Sequence, residues 1–185
     1  MDENFEQLAA LVPCYGPAGD TTVMISRTGE VCTQETGLRT VLRRLLRQKA
    51  VDLQALRLKT AQPGIRPMLQ PLPLSSNLLL CPLKLRLPKI PGDICTGYVN
   101  AHTVEKVGNL HSPPYHSRLR LSGGRILPVI WKADTVNRHL HTAKLCQQRL
   151  LPQAQTYPDL LPTAQKLAEI IYELLLYRPA STEVF

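Results

Sequence analysis

Ser117-Arg118-Leu119-Arg120-Leu121-Ser122-Gly123-Gly124-Arg125-Ile126-Leu127-Pro128-Val129-Ile130 is the stretch that decides the fold class. Ser117–Leu121 alternates polar and apolar residues with the period of two that a half-buried strand requires. Ser122-Gly123-Gly124-Arg125 supplies the turn, and Ile126–Ile130 returns as the partner strand. Arg118 and Arg120 then share one face of the first strand, with Leu119 and Leu121 on the other.

Downstream, Asp134 can N-cap a helix running to about Leu150, with Val136, Leu140, Ala143 and Gln147 on one side and Pro152 as its stop. A second amphipathic helix is expected over Thr163–Tyr177, striped by Leu167, Ile170, Ile171, Leu174 and Leu175. Trp131 is read as a core anchor rather than a base-stacking platform.

Upstream, Asp93–Val107 reads as β, with a break at Asn100-Ala101-His102. His111–Pro114 is a loop. Residues 61–91 hold seven prolines, which exclude helix from most of the segment, while their many leucines argue against a polar linker. Short strands broken by proline fit best. Leu83-Lys84-Leu85-Arg86-Leu87 alternates strictly, so its basic side is expected to face outward. Leu38–Val51 reads as a helix whose Leu38, Val41, Leu42, Leu45 and Leu46 form one apolar face, with Arg39, Arg43, Arg44, Arg47 and Lys49 on the others. Thr21–Ser26 and Val31–Thr33 form a small hairpin around Arg27–Glu30. Residues 1–20 read as an acidic segment, a short amphipathic turn and a loop, set apart from a single domain over 21–185. The class is α+β: a β-rich core of short antiparallel strands and hairpins, a basic helix near the N-terminal third, and two C-terminal amphipathic helices.

Charge is sorted along the chain. Between Gly37 and Arg149 there are 19 Lys and Arg against 4 Asp and Glu, a local balance of +15 within a net charge of +8. Such a block points to a polyanionic partner, and nucleic acid is the commonest.

Catalytic signatures are missing from the sequence. There is no phosphate loop, no Gly-x-Gly-x-x-Gly and no Gly-x-Ser-x-Gly elbow. Asp52, Asp93, Glu105 and Asp134 are too few carboxylates to suggest a metal-dependent nuclease. The spacings of His102, His111, His116, His139 and His141 with Cys95 and Cys146 match no standard zinc pattern. No metal, cofactor or catalytic residue is expected. The odd count of five cysteines, with no Cys-x-x-Cys, suits free thiols in a reducing cytoplasm. The acidic start is unlike a signal peptide, and no apolar run is long enough to span a membrane.

Four pieces of the chain recur together in a known order. They are Asn77-Leu78-Leu79-Leu80-Cys81-Pro82; Cys95-Thr96-Gly97-Tyr98-Val99-Asn100 running into His102-Thr103-Val104-Glu105-Lys106-Val107; the Leu119–Val129 hairpin; and the helix Thr135–Leu150, followed by Tyr157-Pro158 and Lys166–Leu176. In this order they resemble the bacterial competence transcription factor family ComK over roughly 60–185, with a more distant likeness to LytTR DNA-binding domains. The resemblance implies a non-enzymatic, sequence-specific regulator that binds AT-rich double-stranded DNA through the minor groove as a homodimer; the acidic flanks are a separate candidate for meeting a regulatory protein partner. By position, the LytTR contact just before the strand's Ser falls at Cys95, with Thr96 in the Ser place and nominated for DNA contact, and the basic residue after the Leu-Pro strand falls at Lys132, where LytTR domains carry Arg.

Beside that resemblance, the pattern itself nominates Lys84, Arg86 and Lys89 on the proline-broken strands and Arg118, Arg120 and Arg125 on the hairpin as a basic edge. Arg39, Arg43, Arg44 and Arg47 are the next candidates, as phosphate contacts. The C-terminal stripe is assigned to packing or dimerisation. The alternatives are a nucleic-acid-processing enzyme with a basic groove and an adaptor for an acidic protein partner.

Overall fold

A computed structural model of the chain describes residues 5–62, 64–150 and 166–172. The hairpin forms as its alternation requires. Strand β8 (Tyr115–Leu121) pairs antiparallel with β9 (Ile126–Val129), and Leu119 lies opposite Leu127. On its other side β8 pairs with β7 (Val104–Ser112), completing a three-stranded antiparallel sheet. Ser117, Leu119, Leu121, Leu127 and Val129 are buried, whereas His116, Arg118, Arg120, Ile126 and Pro128 are exposed.

The buried face of this sheet needs a second layer, and a larger sheet provides it. Six strands run in the order β3-β2-β1-β6-β5-β4. They are β1 (Leu8–Gly16), β2 (Gly19–Ser26), β3 (Val31–Gln34), β4 (Leu72–Pro73), β5 (Leu79–Lys84) and β6 (Thr96–Asn100), and all their pairings are antiparallel. Helices α1 (Leu38–Gln48) and α2 (Leu53–Thr60) follow β3, and α3 (Ala133–Leu150) follows β9. The fold is α+β.

Two cores flank the large sheet. On one face Ala9, Leu83, Val99, Leu119, Leu121, Val129, Val136 and Leu140 pack together, which seats the small sheet and α3 there. On the other, Leu8, Leu11, Leu80 and Tyr98 meet Leu38, Val41, Leu42, Leu45 and Leu46 of α1. Residues Leu8 and Leu11 are three apart, so a regular strand would point them to opposite faces. A bulge between Leu8 and Ala10 restores the phase, placing both leucines toward α1 and both Ala9 and Ala10 toward the small sheet.

Buried polar groups knit the layers. Asn100, fully buried, donates to the carbonyls of Leu8 (3.1 Å) and Asn77 (3.0 Å), and its Oδ1 accepts from the backbone N–H groups of Leu79 and His102. Gln147 of α3 donates to the Ser75 carbonyl at 2.7 Å, and its Oε1 lies 2.9 Å from His102 Nε2. The turns of the two hairpins interlock. A Cβ on Gly123 (φ +79) would sit 2.5 Å from the backbone of Thr28 and Gly29, so only glycine fits, and Arg125 Nε donates to the Gly29 carbonyl at 2.7 Å.

Several expectations are corrected. The boundary expected at residue 20 falls inside β2, and the supposed acidic appendage contains β1, an inner strand of the six-stranded sheet. The chain divides instead into units Met1–Pro152 and Gln153–Phe185. The helix expected over 38–51 ends at Gln48, where Ala50 adopts φ 51; Asp52 then caps a separate helix by accepting from Ala55 N–H at 2.7 Å. Asp134 lies in the first turn of α3 rather than capping it. In the second unit residues 166–172 are helical, with Leu167, Ile170 and Ile171 exposed. The remainder of the helix expected over 163–177, and Tyr157-Pro158, lie outside the described residues.

Candidate nucleic-acid interface

The outer face of the small sheet carries a cluster of cations on adjacent strands. Register places Lys106 opposite Arg120, and Arg120 opposite Ile126, in one rung; Gly108, Arg118 and Pro128 form the next. Lys106, Gly108, Arg118, Arg120 and Ile126 line a shallow trough of about 210 Å³. Gly108 opens it, because a strand residue without a side chain leaves the Arg118 guanidinium stem uncovered. Beside it Glu105 meets Arg120 Nε at 3.3 Å, with both side chains about half exposed. A solvated pair of that kind is worth little and is easily exchanged for another anion.

Of the residues singled out from sequence, Arg118 and Arg120 are brought together here, and Arg125 and Lys132 border them. Arg125 is exposed in the β8–β9 turn although its Nε is engaged with Gly29. Lys132 is exposed just beyond β9, at the end of the sheet where β8 begins. Sequence reasoning missed Lys106. The register shift between Val104 and Lys106 sets which side of β7 reaches Arg120, and no short pattern announces it.

Arg86 is a correction. The alternation of Leu83–Leu87 predicts it outward, but it is only 6% exposed. Strand β5 ends at Lys84, and Arg86 turns inward. Its Nη1 donates to Asp20 at 2.7 Å and to the Cys14 carbonyl at 3.0 Å, and its guanidinium lies 4.0 Å from the centre of the Tyr15 ring. Lys89 is committed to the same knot. Its ammonium sits 4.3 Å from that ring centre, and its backbone N–H reaches the Tyr15 hydroxyl at 2.8 Å. Tyr15 also donates to Asp93, whose carboxylate accepts from Lys89 and Ile90 N–H at 2.9 and 3.1 Å. The Tyr15 hydroxyl, followed by these amides, holds the Asp93 carboxyl below the usual carboxylate range. Arg86 and Lys89 thus fasten the 85–95 segment to β1.

Lys84 and Thr96 pair across β5 and β6 on the face that carries Leu80 and Tyr98. That is the α1 side, across the large sheet from the trough. The basic helix lies there too: Arg39, Arg43, Arg44 and Arg47 are exposed around the buried stripe of α1. Arg39, Arg43 and Arg57 surround a pocket of about 350 Å³ that Thr96 and Tyr98 also line. Two basic surfaces therefore exist, one on each outer layer.

Trp131 packs against the core and stacks on His139 with ring centres 4.6 Å apart. Burial, with Arg138 nearby, pushes the His139 imidazole below its usual value. Burial drives the Cys81 thiol up to about 12, and all five cysteines are free. Among the described residues, no three His, Cys, Asp or Glu side chains converge as a metal would need, and no helix is long and apolar enough to cross a membrane. A scan against family models, a search of curated proteins and a search of solved structures each find no match to this chain.

Proposed function

We propose that this protein is a non-enzymatic, DNA-binding transcriptional regulator of the ComK kind, and that the outer face of the β7-β8-β9 sheet is its DNA surface. The observation that supports this most is the trough lined by Lys106, Arg118 and Arg120 on adjacent strands, with no acidic residue in its lining. Strands carrying cations on one face lie along a duplex groove and neutralise phosphates, releasing counterions. Arginines entering a narrow minor groove sense its width, which yields AT preference without base-specific bonds. Arg125 and Lys132 flank the contact. Lys84, Arg86, Lys89 and Thr96 are left out of it. The exposed stripe of Leu167, Ile170 and Ile171 would serve to pair two copies, as a cytoplasmic regulator acting on paired half-sites requires.

The test is a salt titration of binding to AT-rich and GC-rich duplexes, with Arg118→Ala and Lys132→Ala beside the native chain. The native protein binds the AT-rich duplex more tightly, and each variant weakens binding and flattens the salt slope, Arg118→Ala more strongly. Equal binding to both duplexes removes the sequence preference. No binding to either at low salt removes DNA as the partner and leaves an acidic protein surface as the ligand of the trough.

A further inference from the structure

The pocket on the α1 side has a different character from the trough, and it is not accounted for by DNA contact. Arg39 and Arg43 stand one helical turn apart on α1, and Arg57 faces them from α2. The pocket has no acidic residue in its lining, and no ion pair joins these three arginines to a carboxylate among the described residues. Arg57 Nε is buried without a hydrogen-bond partner, and Arg57 and Tyr98 both line the pocket. Burial raises the Tyr98 phenol and Arg57 works against it, so the hydroxyl stays neutral and available as a donor. Three guanidinium groups gathered in one pocket with no carboxylate in its lining favour an anionic occupant, which can take charge-assisted hydrogen bonds from them.

Apart from Tyr98 and Thr96, the rest of the wall is apolar. Leu42 and Ile94 line it, and its volume of about 350 Å³ lies at the small end of the range for organic ligands, roughly 300–1,000 Å³. A duplex phosphate is a poor occupant of such a space, because its sugar and base could not follow it in. We infer that the pocket binds a small amphipathic organic anion, with a carboxylate or phosphate head held by Arg39, Arg43 and Arg57 and a hydrocarbon body against Leu42 and Ile94. This site is independent of the DNA surface, since the large sheet separates the two.

The test is isothermal titration of the full chain with sodium octanoate and octyl phosphate, with sodium acetate as head alone and 1-octanol as body alone. At least one of the two amphipathic anions binds one to one, and acetate and octanol bind at least about tenfold more weakly. Arg43→Gln, on an exposed helical face, and Arg57→Gln each lower that affinity about tenfold, as loss of a charged hydrogen bond implies, with circular dichroism unchanged. Arg118→Gln leaves it as it was. The inference is overturned if neither anion binds saturably, if octanol binds as tightly as the anions, or if the pocket variants bind like the native chain. It is also overturned if duplex DNA displaces the bound anion stoichiometrically, which would place the α1 arginines in a nucleic-acid surface.

Discussion

Leu83-Lys84-Leu85-Arg86-Leu87 and Ser117-Arg118-Leu119-Arg120-Leu121 carry the same alternation of apolar and basic residues, yet Arg118 is exposed and Arg86 is buried. Strand β8 is the middle strand of a sheet whose outer face is left exposed by the described residues, so its basic side stays in water. Strand β5 lies in a sheet covered on both faces, and its alternation breaks where the strand ends at Lys84. Arg86 is tolerated inside only because Asp20, the Cys14 carbonyl and the Tyr15 ring meet it there. Alternation therefore defines two faces of a strand. What packs against the polar face decides whether it becomes a binding surface or an internal brace.

The comparison breaks most severely if the two sheets do not depend on one another. Gly123→Val places a branched side chain at positive φ against the Thr28-Gly29 backbone. It is expected to cost on the order of 3 kcal/mol or more in urea-induced unfolding, and a loss below about 1 kcal/mol would show that the interlocked turns are not needed. Next comes the internal brace. Arg86→Met keeps the stem but drops the charged hydrogen bonds, and a destabilisation of about 2–3 kcal/mol is expected with unchanged DNA affinity. If DNA binding fell while stability held, Arg86 would belong to the interface after all.

The surface arginine should behave in the opposite way. Arg118→Met is expected to leave stability within about 0.5 kcal/mol while lowering DNA affinity several-fold and the salt slope by about 1. Unfolding and binding measured on one preparation decide it. The smallest effect concerns the loop that Lys89 and Asp93 fasten. Because the folded Asp93 carboxyl titrates below its ordinary value, its contribution is present above the unfolded value and is lost as pH falls below about 4. Amide resonances of Lys89 and Ile90 should shift with a midpoint under that value. A midpoint at or above it, or the same shift in Asp93→Asn, would mean that the carboxylate does not hold the loop.

Much of the fold was legible because it follows local periodicity. The five apolar residues of α1 named from spacing are the five that are buried, and Val136, Leu140, Ala143 and Gln147 of α3 are all buried as well. Strand β1 was missed, although Leu8–Val12 is an unbroken apolar run of the kind a strand buried on both faces carries. It follows directly on an acidic start, and its bulge scrambles the period of two. Helix α2 was missed with it, so Arg57 had no placement. The trough was half legible: Arg118 and Arg120 follow from one strand, whereas Lys106 depends on register between strands. Arg86 could not be placed from local pattern at all, since its Asp20 partner is 66 residues away. The layer order, which separates α1 from the trough, is tertiary information that no short window contains.

The most direct test of the account is the dependence of AT-rich duplex binding on salt concentration for the native chain and for Arg118→Ala/Arg120→Ala. If the outer face of the small sheet is the DNA surface, the double variant binds more weakly at every salt concentration, and its log–log slope is shallower by about 2, one unit for each phosphate that is no longer neutralised. An unchanged slope in the double variant would contradict that assignment.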